Sequence, residues 1–155
     1  ALVLAGAYVG VCESNRLAAG VMLRREAASS VAAPSFDHVF PEPFGPHRFR
    51  GVLREGDAYK VYLIEPFRGR LELKSTVRTR DQDRLLRRVR EHPTARRLEW
   101  FFKAPVWVLG KGENGRSRAT VYDLRFPSLV LDRGNPFEAA FELDGKGEVV
   151  SVGWR

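Results

Sequence analysis

The chain has 155 residues, 44% of them hydrophobic, with three Trp and a net charge of +7. That length and apolar content suit a globular domain with a real core and exclude a disordered chain. One cysteine, Cys12, excludes an internal disulfide framework and any Cys-rich zinc site.

From Leu2 to about Ala28 the chain is Ala/Leu-rich and free of proline, which predicts a helix that Gly6, Gly10 and Gly20 weaken without breaking. Ala1 to Cys12 carries no charge. It is too short to span a bilayer, which takes ~20 residues, and it lacks the basic start of a signal peptide. It reads either as the remnant of a transmembrane helix or as a buried core helix. Arg16, Arg24 and Arg25 behind it suit a cytoplasmic exit. Ser29 to Ser35 predicts a linker. The expected organisation is an N-terminal helix over 1–30 and one soluble α+β domain over 31–155.

Pro41, Pro43 and Pro46 forbid a helix and favour an extended, polyproline-like approach. Alternation then predicts strands over Arg48–Arg54 and Ala58–Glu65, with Gly56-Asp57 as the turn, and a short strand over Leu71–Leu73. Next the period changes. Thr79 and Gln82 fit a capping box, and Leu85, Leu86 and Val89 form the apolar stripe of a helix running to about His92. After Pro93, Thr94 is the expected cap of a second helix with Leu98, Phe101 and Phe102 inward, ended by Pro105. Val106–Leu109, Ser117–Leu124, Phe137–Leu143 and Val149–Trp154 predict four strands, the last two joined by the turn 144–147. This order gives an α+β fold: an N-terminal helix, then one curved antiparallel sheet of about seven strands, with two helices inserted between strands 3 and 4.

The charge is uneven. Between Arg68 and Arg97 stand eleven basic and four acidic residues, leaving fifteen of each elsewhere. Arg84, Arg87, Arg88 and Arg90 cover most of the first inserted helix, a candidate surface for anionic lipid or nucleic-acid phosphates. That helix lacks the Asn/Gln content that reads base edges, so no specific nucleic acid is expected. His38, His47 and His92 have no metal-site spacing, and no metal ligand is assigned. Gly110-Lys111-Gly112 precedes no helix that could offer its N-terminus to a phosphate. Ser117, Ser128 and Ser151 lie in or beside strands, not in a nucleophile elbow. Asp123 and Arg125, two apart on a strand, share a face and either pair with each other or line a pocket. Trp100 and Trp107 are expected to pack between helix and sheet, with ligand stacking by Trp100 as the lesser reading.

Several segments resemble the C-terminal part of the YdjM-like membrane-bound metal-dependent hydrolases. Trp100-Phe101 before Lys103-Ala104-Pro105 fits a W/R-F-x-R/K-F/A-P stretch ending a helix. Asp123-Leu124-Arg125-Phe126 fits a D-L-R-F/Y strand, and Pro136 to Asp144 fits a P-F-x-x-x-V/F-x-L-D hairpin. Before the first strand, the Pro41–Arg50 stretch is similar to P-x-P-x-N-P-x-x-W-R, with Gly45 for the Asn and Phe49 for the Trp. The resemblance covers about Tyr8 to Val152. It implies a domain appended to transmembrane helices that carry the catalytic histidine motif and the divalent metal, so neither is expected within these residues. His47-Arg48 lacks the second His and the Ser of that motif. The expected role is a non-catalytic accessory domain on the cytoplasmic side. Its partners would be the membrane surface, the parent's transmembrane helices or a second copy. A basic nucleic-acid-binding module and a small-ligand-binding α+β domain are the alternatives.

Overall fold

The computed structural model describes residues 2–30, 33–80, 82–112, 116–131 and 135–154. It is α+β, as expected, but the strands form two four-stranded antiparallel sheets, not one sheet of about seven. The chain divides into two compact units, Ala1–Val77 with Ser128–Asp132, and Arg78–Pro127 with Arg133–Arg155.

The first unit holds helix α1 (Leu2–Ser29) and strands β1 (Phe36–Pro41), β2 (Phe49–Glu55), β3 (Ala58–Glu65) and β4 (Arg70–Arg78), in the spatial order β1-β2-β3-β4. Phe49, Leu53, Tyr62 and Ile64 point to one face of the sheet, and Ala19 and Leu23 of α1 close over them. Contact is tightest at Gly51. A Cβ there would lie 2.7 Å from Leu23 Cδ1 and 2.8 Å from Ile64 Cδ1. The missing side chain is what lets the helix seat on β2.

Two elements of this unit differ from the sequence expectation. β1 occupies the approach to the proline-rich stretch, and its ladder with β2 runs from Phe36 opposite Arg54 to Pro41 opposite Phe49. It is an edge strand, the place where a sheet tolerates a terminal proline. β4 runs to Arg78, well beyond Leu73. None of its side chains is fully buried, and beyond Leu73 no alternation of apolar and polar residues marks it.

The second unit holds helices α2 (Arg84–Glu91) and α3 (Pro93–Phe101), then strands β5 (Pro105–Lys111), β6 (Ser117–Asp123), β7 (Glu138–Leu143) and β8 (Val149–Trp154), again in sequential order. Leu86, Val89, Ala95, Leu98 and Phe102 pack with Trp107, Val121 and Phe141. Phe137 lies before β7 and is half exposed, so it does not extend the inward row Ala139, Phe141, Leu143.

The caps also differ from expectation. Asp83, not Thr79, caps α2, its Oδ1 accepting from Leu85 N at 2.8 Å. Thr79 is buried at the end of β4, and Asp81 lies outside the described residues. His92, not Thr94, caps α3: its Nδ1 accepts from Thr94 N at 3.3 Å, and Pro93 takes the first helical position. The β7–β8 turn is closed by Asp144, whose Oδ1 accepts from the amides of Lys146 and Glu148, with Gly147 at φ 81°. Of the β5–β6 turn, residues 113–115 lie outside the described residues.

Candidate functional site

The most unusual surface is the first third of α1. Residues 3–11 are Val, Leu, Ala, Gly, Ala, Tyr, Val, Gly and Val, and all nine are exposed, Val3 to 85%. A helix apolar all round is normally buried in a core or in lipid. Among the described residues of α1, the first buried one is Asn15. No helix among the described residues is long and apolar enough to cross a membrane. The span Leu2–Cys12 rises about 15 Å, half of a ~30 Å hydrocarbon layer.

A second apolar projection stands beside it. Between β1 and β2 the chain turns through Glu42 to Arg48, and Phe44 sits at φ 71° with 72% of its surface exposed. A bulky residue in that region is strained, and the surrounding chain must hold it there. Tyr8, Cys12 and Arg16 of α1, Pro46 of this turn and the flanking Pro41 of β1 and Phe49 of β2 line one cleft of about 330 Å³. The turn therefore borders the helix just behind its exposed end.

What holds the turn is a buried carboxylate. Glu42 Oε2 accepts from Ser128 Oγ at 2.6 Å and from Leu129 N at 3.1 Å, while Oε1 lies 3.5 Å from Arg50 Nη2. Glu42 and Arg50 are both buried. The sequence reading did not single out Glu42, and a Glu between two prolines gives no signal of this role. On the other side of α1, Arg16, Arg24, Asp37 and His38 line a cleft of about 210 Å³. Glu13 follows the apolar segment and pairs with Arg16 at 2.5 Å, and Arg24 and Arg25 come further along the helix.

Several acids of this unit have structural partners. Arg48 Nε lies 3.2 Å from Glu65 Oε1, with Arg68 at 3.5 Å and Arg70 at 3.8 Å. The Arg48 hydrogen bond, more than the surrounding charges, holds the Glu65 carboxyl below the usual range. Burial pushes the Tyr62 hydroxyl up to about 12, with further help from Glu26, to which it donates at 3.3 Å.

In the second unit Asp123 and Arg125 pair with each other: Arg125 Nε donates to Asp123 Oδ2 at 2.7 Å. Asp123 is fully buried and also accepts from the amides of Lys103, Ala104 and Arg125. Arg125 Nη2 donates to Phe101 O at 2.8 Å. The pair ties the end of α3 to the end of β6. Trp107 is buried as expected, but Trp100 is 84% exposed. The buried face of α3 is set by Ala95, Leu98 and Phe102, which turns Trp100 and half of Phe101 outward.

The four arginines of α2 divide. Arg90 pairs with Glu99, which also accepts from Trp107 Nε1 at 3.1 Å. Arg88 donates to Lys146 O at 2.8 Å and lies 3.7 Å from Glu148. Arg84 and Arg87 are exposed and face no acidic partner among the described residues. The histidines are scattered: His38 stacks on Phe36 on the edge strand, His92 caps α3, and His47 lies beside Gly45. Among the described residues no three His, Cys, Asp or Glu side chains converge as a metal site. No family model, no curated protein and no solved structure matches the chain.

Proposed function

We propose that this chain is a non-catalytic accessory domain that docks on a membrane surface, beside the transmembrane helices of a metal-dependent hydrolase. One observation carries the docking: nine consecutive apolar residues of α1 are exposed all round the helix. Water is a poor solvent for such a surface, and one leaflet of a bilayer accommodates its length. Phe44 adds a second apolar contact at the same end of the unit. Arg16, Arg24 and Arg25 then fall at and beyond the headgroup level, on the cytoplasmic side by the positive-inside rule. The hydrolase parent rests on the sequence resemblance. The non-catalytic role is supported by the employment of Glu42, Glu65, Asp123 and His92 in structural hydrogen bonds.

The test is flotation of the full chain with anionic vesicles, comparing wild type with Leu4→Ser/Val9→Ser. Burying a Leu or Val side chain contributes about 1.5–3 kcal/mol. Losing two of them should weaken partitioning by at least ~100-fold, at 1.4 kcal/mol per tenfold. Equal partitioning of the two proteins would remove α1 from the docking surface and the reading with it.

A further inference from the structure

The outer face of α3 sets exposed aromatics beside cations. Arg96 and Trp100, and Arg97 and Phe101, lie four residues apart, and all four stand away from the buried row Ala95, Leu98, Phe102. All four are exposed, Trp100 to 84%, and exposed Lys103 follows just past the helix end. The one acid of the helix, Glu99, turns away to receive Arg90 and Trp107. The face is therefore a large aromatic tip among three cations with no carboxylate. Below it the backbone is fixed: Arg125 Nη2 bonds Phe101 O, and Asp123 holds the amides of Lys103 and Ala104. Such bracing suits a contact surface more than a frayed helix end.

We infer that this face is an interfacial lipid contact, with Trp100 at the headgroup level of an anionic bilayer and Arg96, Arg97 and Lys103 on lipid phosphates. Trp is enriched at that level because its ring is apolar and its N–H is polar. The three cations match anionic phosphates in sign. Single-stranded nucleic acid stacks successive bases on aromatic platforms along a basic groove. Here the aromatics project from one short helix. The inference extends the membrane reading to the second unit and stands on different residues from α1.

The experiment uses the full chain with phosphatidylcholine vesicles, with and without phosphatidylglycerol, carrying nitroxide-labelled acyl chains that quench nearby indoles. Trp107 is buried, so the bilayer-dependent signal comes from Trp100 and from Trp154, which is also exposed. The expected result is strong quenching on anionic vesicles that Trp100→Phe largely removes. Arg96→Gln/Arg97→Gln should weaken binding about thirtyfold at low salt, because each cation near the surface contributes about fivefold. Both effects should persist in Leu4→Ser/Val9→Ser, which separates this contact from that of α1. Quenching unchanged by Trp100→Phe while wild type still floats would overturn the inference and leave the α1 reading standing. Tighter binding of an oligothymidylate than of vesicles, lost with Trp100→Phe, would assign the face to nucleic acid and overturn it too.

Discussion

Gly51→Ala tests the joint on which the proposed membrane anchor depends. A Cβ at this position would stand 2.7 Å from Leu23 Cδ1, 2.8 Å from Ile64 Cδ1 and 3.3 Å from Leu23 Cδ2. Carbon atoms attract best at about 3.5–4.0 Å, so two contacts are short by nearly an ångström. Leu23 and Ile64 are fully buried and have little room to turn away. Overpacking of this kind costs about 1–3 kcal/mol, and the entropy gained by replacing glycine in a strand offsets up to ~1 kcal/mol of it. The expected net destabilisation is about 1–2 kcal/mol. Leu23→Ala alone should cost about 2–5 kcal/mol by emptying the same contact. The double variant should lose less than the sum, because the added methyl occupies the vacated space. The three Trp belong to the second unit, so the readout is native-state hydrogen exchange of the β2–β3 amides. A neutral or stabilising Gly51→Ala, or strict additivity with Leu23→Ala, would mean that α1 does not approach β2 this closely.

Two further outcomes follow from the carboxylates. Asp123→Ala should destabilise the second unit by about 3–5 kcal/mol, because three amides and the Arg125 guanidinium lose their acceptor. A loss under 1 kcal/mol in urea-midpoint shifts followed by Trp fluorescence would contradict that role. Acid should weaken the fold. Glu55, Glu65, Glu72 and Asp144 all have depressed carboxyl pKa values, chiefly from hydrogen bonds to Lys60, Arg48, Lys74 and the Glu148 amide. In each case the unfolded chain takes up the proton first. Their contribution is complete above the ordinary carboxylate range near pH ~4 and is lost as pH falls through the lower folded values. Thermal melts should show a falling midpoint below about pH 4.5 and a flat profile from there to neutrality. A midpoint that rises on acidification would refute the assignment.

Much of the fold could be read from periodicity. β2, β3, β6 and β8 alternate or are bounded by turn residues, and α1 and α2 carry helical spacing over enough residues to show it. What failed was governed by distance or by edges. β1 and β4 are edge strands with little burial, so neither writes an apolar pattern into the sequence. Whether eight strands make one sheet or two depends on which strands pair across the α2–α3 segment, and alternation does not encode pairing. Thr79 and Asp83 both have capping chemistry; the helix begins at the second because β4 extends to Arg78 and leaves Thr79 at the strand's end. Both units nonetheless run helix first and then four strands in sequential order.

The candidate surfaces were harder to read than the fold for a specific reason. Counting apolar character alone expects Trp100 to pack, but Leu98 and Phe102 lie about one turn apart and Trp100, midway between them, falls on the opposite side of the helix. The buried face is Ala95, Leu98 and Phe102. The same blindness affects α1. Its apolar residues ring the helix, so the sequence permits either burial or lipid contact, and only exposure of residues 3–11 separates the two. Glu42 was invisible for another reason: its partners Ser128 and Leu129 lie 86 and 87 residues further along the chain. A buried carboxylate that gathers distant donors leaves no local motif. It nonetheless fixes the turn that presents Phe44, so a contact no pattern reveals positions part of the surface on which the membrane reading rests.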